Sequence, residues 1–107
     1  MIVVTTESLP GYEVKQTLGT VFGLTVRARG LGKDIMAGFK GLFGGEILQY
    51  TEMLEDARKY ALDRMIENAA AMGANAIIMV RFDSGSLSHN MSEIVAYGTA
   101  VIVEKVE

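Results

Sequence analysis

Glu13-Val14-Lys15-Gln16-Thr17-Leu18-Gly19-Thr20-Val21-Phe22-Gly23-Leu24-Thr25-Val26-Arg27-Ala28 is the clearest alternating run in the chain. Its even positions, from Val14 through Leu18, Phe22, Leu24 and Val26 to Ala28, are largely apolar. Its odd positions, from Glu13 through Lys15, Thr17 and Thr25 to Arg27, are largely polar or glycine. Side chains of a strand alternate between two faces, so the run predicts a strand with its even face on a core. Fully extended it would reach about 50 Å at roughly 3.3 Å per residue, well beyond an ordinary strand. Gly19 and Gly23 are where such a strand would bend or bulge.

The segments on either side complete an α+β pattern. Upstream, Ile2 to Thr5 is short and β-branched, and Ser8-Leu9-Pro10-Gly11 turns the chain, because proline fixes φ and glycine accepts positive φ. Downstream, Arg29 to Gly45 places Ile35, Met36, Phe39, Leu42 and Phe43 at helical spacing. Gly38 and Gly41 weaken that helix by about 1 kcal/mol each relative to alanine, so a short, loosely held helix is expected. Glu46 to Met72 is a long helix. Its apolar stripe runs through Ile47, Tyr50, Leu54, Ala57, Ala61, Met65, Ala69 and Met72, with Leu62, Ile66 and Ala70 beside it. Gly73 suits the position just past its end. Asn75 to Asp83 and Ser92 to Val103 alternate as strands, and Ser84 to Asn90 reads as a polar loop. Both faces of the last strand are apolar. In a single sheet with one long helix that strand needs a second cover, most simply another subunit. The expected order is β-β-(short α)-α-β-β, a curved antiparallel sheet packed on one long helix in a single domain, 1–107.

Composition bounds the function. The chain has 107 residues, half of them apolar, and a formal charge of −3. Such a chain buries roughly 60–65% of its unfolded surface, enough for one core. The mild acidity argues against a nucleic-acid binder, whose footprint is strongly basic. No stretch approaches the roughly 20 apolar residues that span a bilayer, and no basic, apolar leader opens the chain, so a cytoplasmic protein without membrane contact is expected. There are no cysteines, which removes disulfides, thiolate nucleophiles and the common structural zinc sites.

The candidate sites are few. His89 and Glu93 are the metal-ligand candidates, imidazole and carboxylate four residues apart. Met79, beside Arg81, offers a thioether, although the periodic placing of the methionines reads as core filler. Residues 27–40 carry Arg27, Arg29, Lys33 and Lys40 against Asp34 alone, with glycines at 30, 32 and 38. Arg27, Arg29 and Lys33 are therefore the candidates for holding an anion. The segment is not a phosphate loop, since Gly32-Lys33 is followed by Asp34 where serine or threonine is required. No catalytic constellation is present, and an enzyme is not expected. Asp83 reads as the cap of a turn that ends its strand.

Several passages resemble the bacterial and archaeal YbjQ-like family, heavy-metal-binding domains by name. They are Pro10-Gly11-Tyr12-Glu13; Gly44-Gly45-Glu46; and Tyr50-Thr51-Glu52-Met53-Leu54 with Ala57-Arg58, Ala61-Leu62 and Arg64-Met65. The last are Gly73-Ala74-Asn75-Ala76-Ile77-Ile78 with Arg81-Phe82-Asp83, and Ala96-Tyr97-Gly98-Thr99-Ala100-Val101. The resemblance spans nearly the whole chain in order. It implies a dodecin-like subunit, a ring-shaped homopentamer and a bound metal ion. In a pentamer five copies of His89 could converge on the axis, and the polar residues Tyr50, Thr51, Glu52, Arg58 and Arg64 would form a network between subunits. The expected function is a homo-oligomeric binding protein holding a metal ion or small ligand at subunit interfaces. The alternatives are a structural or protein-interaction module, or a binder of a small anion without metal.

Overall fold

The computed structural model describes residues 1–28, 48–88 and 91–107. The short helix expected within 29–45 lies outside them. The elements are β1 (Ile2–Val3), β2 (Tyr12–Ala28), α1 (Leu48–Ala71), β3 (Ala76–Ser88) and β4 (Met91–Lys105). They form one four-stranded sheet in the order β1-β3-β4-β2, with α1 laid mainly across β2 and β4.

The sheet is mixed, not wholly antiparallel. β2 and β3 both run antiparallel to β4, but β1 pairs parallel with β3, Ile2 opposite Ala76 and Val3 opposite Ile77. The reason is a second, small core. Ile2, Leu9 and Ile78 pack on Ala76, Val101 and Val103, drawing the N-terminal segment over the face of the sheet away from α1. β3 is also longer than expected. Ser84, Gly85 and Ser86 are paired with Ile94, Glu93 and Ser92, so the hairpin ladder continues where a polar loop was expected. Asp83 therefore sits inside a strand, opposite Val95, and caps no turn.

From Val21 to Thr25 the side of β2 that meets the helix is the odd one, contrary to the even face read from its apolar content. Leu18, at the bulge, does pack on the core. Val21 and Thr25 are 3% and 5% exposed, whereas Phe22, Leu24 and Val26 are 57%, 36% and 46% exposed. Gly23 explains the reversal. A Cβ there would stand 2.2 Å from both the Ala61 carbonyl oxygen and the Met65 nitrogen. The helix backbone rests directly on Gly23, and Ala57, Ala61, Met65 and Ala69, all fully or nearly fully buried, form the stripe that approaches it. The apolar stripe expected from Leu54 to Met72 is narrower in fact, because Leu54 and Met72 stay 44% and 39% exposed.

Helix α1 ends as its glycine dictates. Gly73 has φ +91°. The Ala74 N–H donates to the Ala69 carbonyl at 3.0 Å and the Gly73 N–H to the Ala70 carbonyl at 3.0 Å, the paired bonds of a left-handed helix stop. Asn75 then opens β3 by exchanging two bonds with Val103: its Nδ2 donates to the Val103 carbonyl at 2.9 Å, and its Oδ1 accepts from the Val103 N–H at 2.8 Å.

Candidate functional site, an open apolar face of the sheet

Side chains paired across strands share a face, so the register assigns the surface opposite α1. One row is Phe22, Tyr97 and Arg81; the next is Leu24, Val95 and Asp83; the third is Val26, Glu93 and Gly85. At its Val101 and Val103 end this face is sealed by the chain's own N-terminal segment. Beyond Thr99 the segment after β1 reaches Arg81, and Phe22, Leu24 and Val26 stay exposed. β4 thus receives part of its second cover from its own chain, and among the described residues the cover does not extend over Phe22, Leu24 and Val26. Phe22, Leu24 and Val26 line the opening from β2, and half-buried Val95 and Tyr97 from β4.

The helix exterior is chemically different. Glu55, Asp56, Lys59, Asp63 and Glu67 are all exposed. Asp56, Lys59, Tyr60 and Asp63, at helical spacings of three and four, line an open groove of about 380 Å³. Two carboxylates against one ammonium do not suit that groove to an anion.

Of the residues expected to bind, Arg27 is engaged within the subunit, and Arg29, Lys33 and His89 lie outside the described residues. Arg27 stacks its guanidinium 4.8 Å from the centre of the Tyr60 ring, joining β2 to α1. Its Nε is buried without a hydrogen-bond partner. Arg29, Lys33 and Lys40 lie outside the described residues, so the three anion candidates are not brought together by any described contact. His89 is outside them as well. Glu93 is half-buried on the open face, its side chain lying over Gly85, where a Cβ would stand 3.9 Å from Glu93 Cγ and Oε1. Met79 sits at a bulge between Ile78 and Arg81, with φ 55°, and is 43% exposed. Arg81 Nη1 donates to the Thr5 carbonyl at 2.9 Å and the Val80 carbonyl at 2.8 Å, fastening the segment after β1.

Two members of the polar passage on the helix, Arg58 and Arg64, make contacts within the subunit. Arg58 lies 5.5 Å from the Phe82 ring centre. Arg64 Nη1 donates to the Leu24 carbonyl at 2.6 Å. Asn68, which the sequence reading passed over, donates from Nδ2 to the Phe22 carbonyl at 2.8 Å. Glu52 is exposed, and the Tyr50 side chain is not among those described. The residues that sequence reasoning misplaced are Phe22, Leu24 and Val26. Their alternation was visible, and the signal that turns them outward is the glycine at 23 on the opposite face.

These features define a small α+β protein: a four-stranded mixed sheet, one long helix on one face, and an apolar patch left open on the other. The same fold occurs in the crystal structure of a protein of unknown function from Pediococcus pentosaceus, with a TM-score of 0.65 and 14% identity, covering 97% of this chain and 98% of that one. The chain belongs to the YbjQ family, whose sequence pattern, described as "Putative heavy-metal-binding", matches residues 1–104. Among its relatives are UPF0145 proteins of a Bradyrhizobium species and of Sulfurisphaera tokodaii. The first is 56% identical over 97% of this chain and 94% of its own length, the second 57% identical over 98% and 92%.

The family description invites a test against the donors present. Soft heavy metals prefer thiolate, and the sequence has no cysteine and one histidine. Among the described residues no three histidine, aspartate or glutamate side chains come close enough to share an ion. The described carboxylate donors do not make a metal centre. No helix among the described residues is long and apolar enough to cross a membrane.

Proposed function

We propose that this chain is a non-enzymatic, homo-oligomeric binding protein whose copies meet through the open face of the sheet, with the charged helices outward. One observation carries the reading: Phe22, Leu24 and Val26 stand exposed together on the face opposite α1, beside Val95 and Tyr97. Exposed apolar surface of this kind, bordered by charge, marks an association site. The helix exterior is too charged to pack on it, so the open faces of several copies turn together toward a common axis. The family resemblance adds a ring of five as the expected number. A ligand of such an assembly would sit between subunits, where each copy contributes one side chain to a shared site. The same face would equally serve a structural or interaction module, and the two readings separate on cargo.

Native mass spectrometry of protein purified without a histidine tag tests this. The reading requires masses at a multiple of the 11.6 kDa chain. A stoichiometric extra mass on that multiple identifies a binding protein and gives the ligand's size. A bare multiple across a panel of divalent metals and inorganic phosphate leaves the interaction module standing. A bare 11.6 kDa monomer overturns both.

A further inference from the structure

Among the described residues β2 is an outer strand of the sheet, and an outer strand offers unpaired backbone groups to any other strand. Two devices answer that hazard along its length. Between Val14 and Gln16, and again between Thr17 and Gly19, the register with β4 slips, and Gly19 takes φ +121°. Bulges twist an edge and break the repeat that an incoming strand needs. From Gly19 to Ala28 the register is regular, and there the protection comes from α1.

Arg64 and Asn68 donate to the carbonyls of Leu24 and Phe22, alternate residues whose carbonyls point away from β4. The spacing is matched. Four residues of helix rise about 6 Å, and two residues of strand advance about 6.6 Å. Two side chains on one helix flank therefore reach two successive outward carbonyls of a strand running the other way. On β3, the Val80 N–H donates to the Val4 carbonyl. By alternation Phe82 and Ser84 turn their N–H groups the same way, past the end of β1.

We infer that Arg64 and Asn68 are a latch on the β2 edge, which keeps the β3 edge of a second copy from adding there as a fifth strand. Pairing of two different edges is head-to-tail and does not close on itself, so an unlatched chain would grow into filaments. The inference is independent of assembly through the apolar face, because it concerns the edge and not the face.

The Arg64→Ala/Asn68→Ala double variant tests it by light scattering and thioflavin-T fluorescence against concentration. Losing two such bonds raises the unlatched population about tenfold or more, and growth beyond the wild-type mass should accelerate by a similar factor. Adding Thr20→Pro should suppress that growth, since by alternation from Phe22 the Thr20 N–H faces the same edge and its loss spares the ladder with β4. Asn68→Asp, which exchanges the donor for an acceptor in an exposed position, should grow in the same way but more slowly. Wild-type mass at every concentration in folded Asn68→Asp and in the double variant would overturn the inference. So would growth that Thr20→Pro leaves unchanged, because aggregation from unfolded chains would not need the edge.

Discussion

Gly23→Ala is the substitution with the most sharply defined consequence. The added Cβ would meet the Ala61 oxygen and the Met65 nitrogen at 2.2 Å, and the Arg64 carbonyl carbon at 2.9 Å. All three are helix backbone, so no side chain can swing aside, and α1 must lift by more than 1 Å to reach ordinary contact at about 3.5 Å. Overpacking of this kind costs about 1–3 kcal/mol. The lift also stretches the Arg64 and Asn68 bonds to β2, at about 1 kcal/mol each. A total loss of about 3–5 kcal/mol follows, a large part of the 5–15 kcal/mol that small domains have. Urea unfolding followed by circular dichroism, at one fixed protein concentration because association adds to apparent stability, measures it. Gly85→Ala is the control, since a Cβ there makes only ordinary contact at 3.9 Å with Glu93. With room, glycine to alanine stabilises by about 0.4–1 kcal/mol through the unfolded chain. A Gly23→Ala protein as stable as wild type would refute the packing of α1 on β2.

Other substitutions probe separate joints. Asn75→Ala removes both bonds to the Val103 backbone and leaves that N–H without its partner; a loss of about 2–3 kcal/mol is expected in the same urea assay. Met79→Gly relieves a positive φ at an exposed side chain and should gain about 0.5–1 kcal/mol. Lys15 is ion-paired with Glu13, with Glu104 at 3.9 Å, and its pKa is raised, first by the hydrogen bond to Glu13 and then by that carboxylate's charge. A raised lysine pKa gives an attraction that is present below the ordinary lysine value and fades only as pH rises through the raised one. The pair is fully exposed, so Lys15→Met should leave the melting temperature between pH 6 and 8 unchanged.

Much of this architecture was legible because it depends on periodicity. The alternation at 13–28, the helix with Gly73 past its end, and the strands after it are local patterns, and each element stands where its period placed it. What was not legible depends on contacts between distant segments. Nothing near Ile2 says that it pairs parallel with Ala76, because Leu9 and Val101 decide that through a shared core. Ser84 to Ser86 have no strand-like composition and are extended because Ile94 to Ser92 pair with them. The facing of β2 was misread because hydrophobic content was weighed above shape. Gly23 admits a helix backbone that Phe22 could not, so the apolar side chains turn outward. The candidate site was readable only as surplus: the chain holds more apolar surface than its one helix covers, and the register shows where the excess lies.

That excess is the centre of the account. Burying the exposed remainder of Phe22, Leu24 and Val26 against another copy would contribute about 2–4 kcal/mol per subunit. A carboxylate at position 22 would be solvated in a lone chain and unacceptable in an apolar interface. Multi-angle light scattering of the wild type and of Phe22→Asp, each checked for native circular dichroism, is the most direct measurement. The account predicts a multiple of 11.6 kDa for the wild type and a folded 11.6 kDa monomer for the variant. An equal mass for both proteins would contradict it.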